Sequence, residues 1–335
     1  MTDRIKVVIY GCGVMGRKMA QALLPKKSFQ LVGAVDIDPK IAGRDLGELL
    51  DPPRKLGLKV SADARRVMAA KKPRAVIHTT TSHLKTVFPQ IAECVRARAN
   101  VISTCEELSY PYRRHPRLSR ELDGLARKYK VTVVGTGINP GFLMDTLPLM
   151  LTAPCLKVES ISVTRMMDSA KRRIPFQKKV GTALTPAKFR DRIDNKIITG
   201  HVGLLESINM IADGLGWKLD EAVELPPQPV LAEKDTPTGL GLVKPGNVLG
   251  LKSEAYASMA GRQVIRLIFT AHAGVTEEYD EVLIEGLPRL QQRIIGGVHG
   301  DTGTVAMTIN VVPRAVESLP GLRVMKDLPP ARATL

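Results

Sequence analysis

Residues 6–16 read K-V-V-I-Y-G-C-G-V-M-G, an apolar run that passes directly into G-x-G-x-x-G and then into a helical pattern. Each glycine answers a steric demand. Gly11 permits a tight turn, Gly13 lets backbone come close to a bound group, and Gly16 lets a helix pack against a strand. A helix opening at Val14 and Met15 offers unpaired N–H groups and partial positive charge to a pyrophosphate. Twenty residues past Gly16 a second apolar run ends at Asp36, a carboxylate placed to accept hydrogen bonds from a ribose. Strand, glycines, helix and strand-terminal acid together predict a dinucleotide site. The charge of Asp36 opposes a 2′-phosphate and favours NAD, while Lys40 and Arg44 just beyond leave NADP open.

Three further segments supply polar groups where an apolar run ends. Thr79, Thr80 and Thr81, followed by Ser82, are small hydroxyls that line a cofactor without blocking it. Glu106 and Glu107 leave the next strand together. Asn139 precedes Pro140 and is expected to cap a helix with Pro140 in its first position. The Asn139 amide also suits a nicotinamide carboxamide. A hydride site has no use for needless negative charge. A carboxylate is useful there when the substrate is cationic or when a proton must be removed, and an amine meets both conditions.

The elements that must position these groups follow from periodicity. Up to about residue 135, short β-branched runs at 6–10, 31–36, 58–60, 75–79, 101–104 and 131–135 alternate with helical patterns at 14–24, 62–70, 83–97 and 116–129. Strands apolar on both faces are buried parallel strands. The alternation predicts an α/β fold: an N-terminal Rossmann doubly wound parallel sheet with a second mixed α+β sheet domain. Beyond it, residues 155–168 read as a long strand. Thr185 before Pro186 caps a helix toward Asn195, and residues 200–215 form another. Residues 225–250 read as a long loop with one short strand. Residues 253–259, 263–271 and 278–285 are expected as adjacent antiparallel strands, with another at 291–298, and Asp301 as the cap of a final helix interrupted by Pro313. The expected division is a dinucleotide-binding domain over 1–140, a substrate-binding and dimerisation domain over 141–305, and a C-terminal helix and tail over 306–335 packing back on the first domain.

Composition narrows the classes. The chain has 335 residues, 44% hydrophobic and 24% charged, as globular domains have and disordered or collagen-like chains do not. No run approaches the ~18 apolar residues of a membrane span, and the N-terminus lacks the pattern of a leader. Forty-nine basic against 33 acidic residues give a net charge of +16. The densest clusters, Arg113-Arg114-His115 and Lys171-Arg172-Arg173, are short, and no recognition-helix or zinc-finger pattern accompanies them. An anionic cofactor therefore accounts for the charge better than nucleic acid does. Cys12, Cys94, Cys105 and Cys155 have no metal-type spacing and read as reduced thiols of a cytoplasmic protein. No metal site is expected.

Five segments resemble a known family: S-T-C-E-E-L-S-Y-P (103–111), G-T-G-I-N-P-G-F (135–142), K-R-R-I-P-F-Q-K-K-V-G (171–181), G-H-V-G-L-L-E-S (200–207) and G-G-V-H-G-D-T-G-T-V-A-M (296–307). Over essentially its whole length the chain looks like the 2,4-diaminopentanoate dehydrogenases, relatives of dihydrodipicolinate reductase that group with NAD(P)-dependent amine dehydrogenases. The reductase's own basic catalytic pair in a His-His-rich segment is not evident. The resemblance implies reversible oxidative deamination of an amine, with ammonia and a ketone on the other side. It also implies a carboxylate that removes the ammonium proton, steadies the iminium and activates water. Glu107 is placed ahead of Glu106 for this role because it lies further from the strand. His201 at a helix start, His272 near a strand end, His299 beside the G-D-T-G turn, and Arg165 are the expected substrate contacts. Two alternatives stand beside this reading. One is a dihydrodipicolinate-reductase-like imine or enamine reductase. The other is a regulator that senses the cofactor or binds nucleic acid. A sheet-bearing second domain also suits a homodimer.

Overall fold

In a computed structural model, which describes residues 4–334, the chain divides into two compact units: residues through Phe142 together with those from Gly300 onward, and Leu143–His299. The first unit opens with β1 (Ile5–Tyr10), α1 (Val14–Leu23), β2 (Phe29–Val35), β3 (Val60–Ser61), α2 (Ala64–Lys71), β4 (Ala75–His78), α3 (Leu84–Arg96), β5 (Asn100–Ser103), α4 (Pro116–Tyr129) and β6 (Thr132–Gly135). These strands are continuous apolar runs because they are buried on both faces. Val7, Val8 and Ile9, like Val76, Ile77, Val101, Ile102, Val133 and Val134, are closed to solvent on either side of the sheet. The helix boundaries follow local chemistry. Asp63 accepts from the N–H of Arg66 at 3.0 Å to start α2, and Pro116 takes the first position of α4, where its missing N–H costs nothing.

The second unit contains α5 (Thr146–Leu151), β7 (Lys157–Asp168), α6 (Ile174–Lys179), α7 (Pro186–Asp194), α8 (Leu204–Gly214), β8 (Glu221–Glu224), β9 (Gln228–Leu231), β10 (Thr236–Thr238), β11 (Gly241–Val243), β12 (Val248–Met259), β13 (Arg262–His272), β14 (Tyr279–Leu287) and β15 (Leu290–Ile295). Its main sheet runs β15-β14-β7-β13-β12-β8, with β9 pairing a further part of β12. Three expectations need correction here. The stretch expected as a long loop carries β9, β10, β11 and the start of β12. Its Pro and Gly residues shorten strands without abolishing them. β14 does not adjoin β13, because β7 lies between them, antiparallel to β14 and parallel to β13. Asn139 and Pro140 do not open a helix: their peptide bond is cis, and α5 starts at Thr146 with Asp145 as its cap, its carboxylate accepting the Thr146 N–H at 2.5 Å and the Ser207 hydroxyl at 2.8 Å.

After His299 the chain returns to the first unit through α9 (Gly300–Glu317) and β16 (Gly321–Arg323). The helix continues through Pro313, and Asp301 lies inside its first turn and pairs with Lys18 at 2.8 Å. The first unit's sheet then reads β16-β6-β5-β4-β1-β2-β3, parallel throughout. Helices α2, α3 and α4 cover one face through Val67, Leu84, Val87, Ile91, Leu122 and Ala126; α1 and α9 lie against the other. Strand order reverses between β1 and β4. In open parallel sheets that reversal leaves a crevice at the carboxyl ends of the strands, where ligands bind. Among the described residues no helix is long and apolar enough to cross a membrane.

Candidate active site

The glycine turn follows β1 at this crevice. Gly11 has φ +96°, and a Cβ there would lie 2.7 Å from the Thr79 carbonyl oxygen. A Cβ on Gly16 would lie 1.8 Å from the Gly11 carbonyl oxygen. Both positions exclude any side chain. Gly13 has nothing within 4 Å of where its Cβ would be, so its missing side chain leaves space open on the solvent side. It also caps α1, and no side chain takes up the first N–H groups of that helix. Open space at Gly13 beside a helix start that no side chain caps fits a pyrophosphate. Val14 is exposed and Met15 half-buried at the helix start.

Of the other residues expected at the cofactor, Asp36, Thr79 and Thr80 lie against this turn. Asp36 follows β2; one carboxylate oxygen accepts the Cys12 N–H at 2.6 Å and the other the Asp38 N–H at 2.9 Å. The acid expected to meet the ribose is thus already locked to the glycine turn. Thr79 donates to the Gly11 carbonyl at 2.7 Å, which holds the turn rather than leaving the hydroxyl for a ligand. Thr80 donates to Gln90 at 2.8 Å, and Thr81 is half-buried in the same loop. Asn139, half-buried, follows β6 at the same sheet edge.

The paired glutamates are in a short 3₁₀ turn, Glu106–Leu108, after β5, and their environments differ. Glu107 is buried. Its Oε2 accepts the Leu84 N–H at 2.8 Å and bonds His115 Nε2 at 2.8 Å. Its Oε1 bonds His83 Nδ1 at 3.2 Å and lies 3.4 Å from Arg114. Burial alone would raise its pKa, but the Leu84 N–H, His83 and His115 outweigh it and hold the carboxyl below 4.5. Glu106 is half-buried, and its carboxylate has no hydrogen-bond or ion-pair partner among the described residues. Sequence reading missed the partners: His115 was visible only as part of an Arg-Arg-His cluster, and His83 as the start of a helix.

The depressed value of Glu107 carries a stability consequence. A carboxyl with a lowered folded-state pKa contributes stability above its unfolded value, and this is lost as pH falls through the folded value. Glu107→Gln should therefore be less stable than the wild type near pH ~7, with the deficit shrinking below pH ~4.5. Thermal unfolding across that range checks this; a deficit constant with pH would contradict it.

In the second unit, Arg165 of β7 is 3% exposed. Its Nη2 donates to the Val298 carbonyl at 2.5 Å, and its Nε lies 3.4 Å from Asp280 Oδ1 without a hydrogen bond. Burial lowers the Arg165 pKa and raises that of Asp280, each partly offset by the other's charge. His201 precedes α8 by three residues rather than starting it. Its ring stacks on Phe269 at 4.5 Å, and burial, with the charges of Arg165 and Lys179, pushes its pKa down to about 3. It is a neutral imidazole whose Nε2 is buried without a hydrogen-bond partner. Arg165 and the exposed His299 line one cavity of about 110 Å³ with Gly296 and Gly297. His272 is elsewhere: it pairs in register with Asp168, on the sheet face opposite Arg165, and lines a separate cavity of about 620 Å³ with Glu277 and Tyr279. Among the described residues no group of three His, Cys, Asp or Glu is placed to hold a metal ion.

Comparison with known proteins places the chain in a family. Residues 142–335 match the 2,4-diaminopentanoate dehydrogenase C-terminal domain, and residues 5–105 the dihydrodipicolinate reductase N-terminus. The chain is 34% identical to the 2,4-diaminopentanoate dehydrogenase of Acetoanaerobium sticklandii, over 99% of its own length and 96% of that protein. It is 24% identical to an amine dehydrogenase of Streptomyces virginiae, over 97% and 96% of the two chains. The solved amine dehydrogenase from Mycobacterium smegmatis superposes with a TM-score of 0.84 at 25% identity, covering 99% of this chain and 98% of that one. Dihydrodipicolinate reductase is the more distant relation: its N-terminal model matches residues 5–105 alone. The chain belongs to the 2,4-diaminopentanoate dehydrogenase family of NAD(P)-dependent oxidoreductases.

Proposed function

We propose that the protein catalyses reversible oxidative deamination of a primary amine bearing a carboxylate, of the 2,4-diaminopentanoate type, releasing ammonia and a ketone. The observation that carries this is the partnerless Glu106 carboxylate at the carboxyl edge of the cofactor-binding sheet. When bound, the nicotinamide supplies the acceptor for hydride from the carbon that bears nitrogen. Gly13, Val14, Met15, Asp36, Thr80, Thr81 and Asn139 would face the cofactor, on a turn that Gly11, Gly16 and Thr79 shape. Glu106 takes the proton of the ammonium group, because a protonated amine has no lone pair to support loss of hydride. Once that proton has passed to solvent, the carboxylate charge steadies the iminium; in the hydrolytic half it accepts a proton from the attacking water and returns it to the departing amine. This reverses the order expected from sequence: Glu107, whose oxygens are occupied, supports the turn.

From the second unit, Arg165, His201 and His299 are assigned to the substrate. Arg165 Nε, ion-paired with Asp280, and His201 Nε2 are both buried without a hydrogen bond; buried polar atoms ordinarily make one, and a guanidinium suits a carboxylate. His272 is not assigned, because it lies on the other sheet face. The test is oxidation of NADH and NADPH against a panel of ketones, including 2-amino-4-oxopentanoate, with and without ammonium. Turnover should require ammonium. Turnover of a cyclic imine acid without ammonium would favour the reductase reading instead.

NAD is the preferred cofactor in this proposal, with NADP tolerated. Asp36→Ala should lower kcat/KM with NAD by roughly 10–100-fold, the range for losing charge-assisted hydrogen bonds, and should raise the NADP-to-NAD ratio. Steady-state kinetics with both cofactors checks it. Unchanged NAD kinetics would remove Asp36 from the ribose site.

A further inference from the structure

We propose that Glu107 is a positioning residue for this reaction: it clamps the turn that carries Glu106 to the loop lining the cofactor edge. This rests on the reading of Glu106 as the proton acceptor. The clamp joins three parts of the first unit. Through its carboxylate, Glu107 holds the start of α3 at the Leu84 N–H and His83, and the segment entering α4 at His115 and Arg114. Through its own N–H it donates to the Ser82 carbonyl at 3.2 Å, which also accepts from Cys105 Sγ at 3.1 Å. Ser82 ends the run of hydroxyls that begins at Thr79, so the cofactor loop and the Glu106 turn are tied by backbone as well as by side chain.

The turn is also seated from below. A Cβ on Gly135, at the end of β6, would lie 2.5 Å from the Leu108 carbonyl carbon and 2.6 Å from the Ser109 nitrogen. Only glycine lets the turn rest on that strand. On the other flank, the Ser109 hydroxyl and N–H both donate to the Glu106 carbonyl, at 2.7 and 3.1 Å. The backbone of Glu106 is fixed on both sides while its carboxylate is left without a partner among the described residues. That arrangement describes a reacting group held by its neighbours and spared for the substrate. Adjacent glutamates divide the work: one spends its lone pairs on protein donors so that the other need not.

Four variants test this, each assayed well below its own Tm: Glu107→Ala, Glu107→Gln, His115→Phe and Glu106→Gln. Misplacing a reacting group by about 1 Å costs up to ~10²-fold, so Glu107→Ala should lower kcat for amine oxidation by about 10–100-fold with Kd for NAD(H) within about fivefold. Glu107→Gln still accepts the Leu84 N–H and should recover roughly tenfold of that loss. Should Glu107→Ala not fold, His115→Phe decides, because it removes one donor only; about 3–10-fold lower kcat at unchanged Kd is expected. Wild-type kcat in folded Glu107→Ala, or in His115→Phe where the alanine variant does not fold, overturns the clamp. So does a Glu107→Gln as inactive as Glu107→Ala beside an active Glu106→Gln, which would make Glu107 the proton acceptor itself. Full activity in Glu106→Gln removes the acceptor and the proposal together. A dead Glu106→Gln with normal Glu107→Ala overturns the clamp alone.

Discussion

Glu106→Gln should lower kcat/KM for amine oxidation by about 10²–10⁴-fold while Kd for NAD(H) stays within about threefold, the range expected for loss of a general base. The split follows from what the side chain touches. Glu106 makes no bond to the glycine turn, to Asp36 or to the hydroxyl loop, so the residues assigned to the cofactor lose nothing. It also supports no element, since none of its carboxylate lone pairs is used by the protein among the described residues. Tm should therefore hardly change, in contrast to Glu107→Gln, which removes a charged acceptor from beneath α3. In the reductive direction the same variant should lose rate, because the acid that protonates the nitrogen is gone. Steady-state kinetics, cofactor titration and thermal unfolding on one preparation separate these effects. Wild-type turnover in both Glu106→Gln and Glu107→Gln would remove the carboxylate mechanism.

The second large effect is a pair of alanine substitutions in one turn with opposite signatures. Gly16→Ala would place its Cβ 1.8 Å from the Gly11 carbonyl oxygen and 2.9 Å from Thr79 Oγ1. The first is backbone, held by the parallel ladder, so the helix must lift off the strand. Overpacking of this kind costs about 1–3 kcal/mol or more, and the cradle loses its shape, so both Tm and NAD(H) affinity should fall sharply. Gly13→Ala meets nothing within 4 Å and has φ −64°, which alanine adopts freely. Its Tm should hold or rise slightly, the usual result of stiffening the unfolded chain by about 0.4–1 kcal/mol. Its methyl nevertheless projects into the space assigned to the pyrophosphate. Affinity for NAD(H) should fall roughly 10–100-fold, as when a backbone N–H can no longer approach a phosphate. Unfolding and equilibrium binding check both. Unimpaired binding by Gly13→Ala would displace the cofactor from this turn.

What the sequence made legible is what short-range chemistry decides. The β-branched runs of the first unit, buried on both faces, could be read as parallel strands, and the glycine turn with Asp36 follows from steric rules acting over a few residues. The second unit's pairing was harder to read. β7 and β13 are about a hundred residues apart and carry no local mark of lying side by side, so β14 looked like a neighbour of β13. The strands between 225 and 250 hold prolines at edge positions, which locally resemble loop. The glutamates show the same limit at the site. Two adjacent acids look alike in sequence, and their difference comes from Leu84, His83 and His115, which topology brings to one of them. Likewise Asn139-Pro140 has the composition of a helix start, but the chain defers its helix to Asp145, whose carboxylate finds both Thr146 and Ser207.

The claim on which all of this depends is that nitrogen enters and leaves at the reacting carbon. Incubation of the enzyme with NAD(P)H, a 2-amino-4-oxo acid and [¹⁵N]ammonium, followed by mass spectrometry of the product, tests it directly. The expected product is a diamine carrying the heavy nitrogen, formed one for one with the NAD(P)H consumed. Consumption of NAD(P)H that yields an alcohol, or any reduced product without the label, would contradict it.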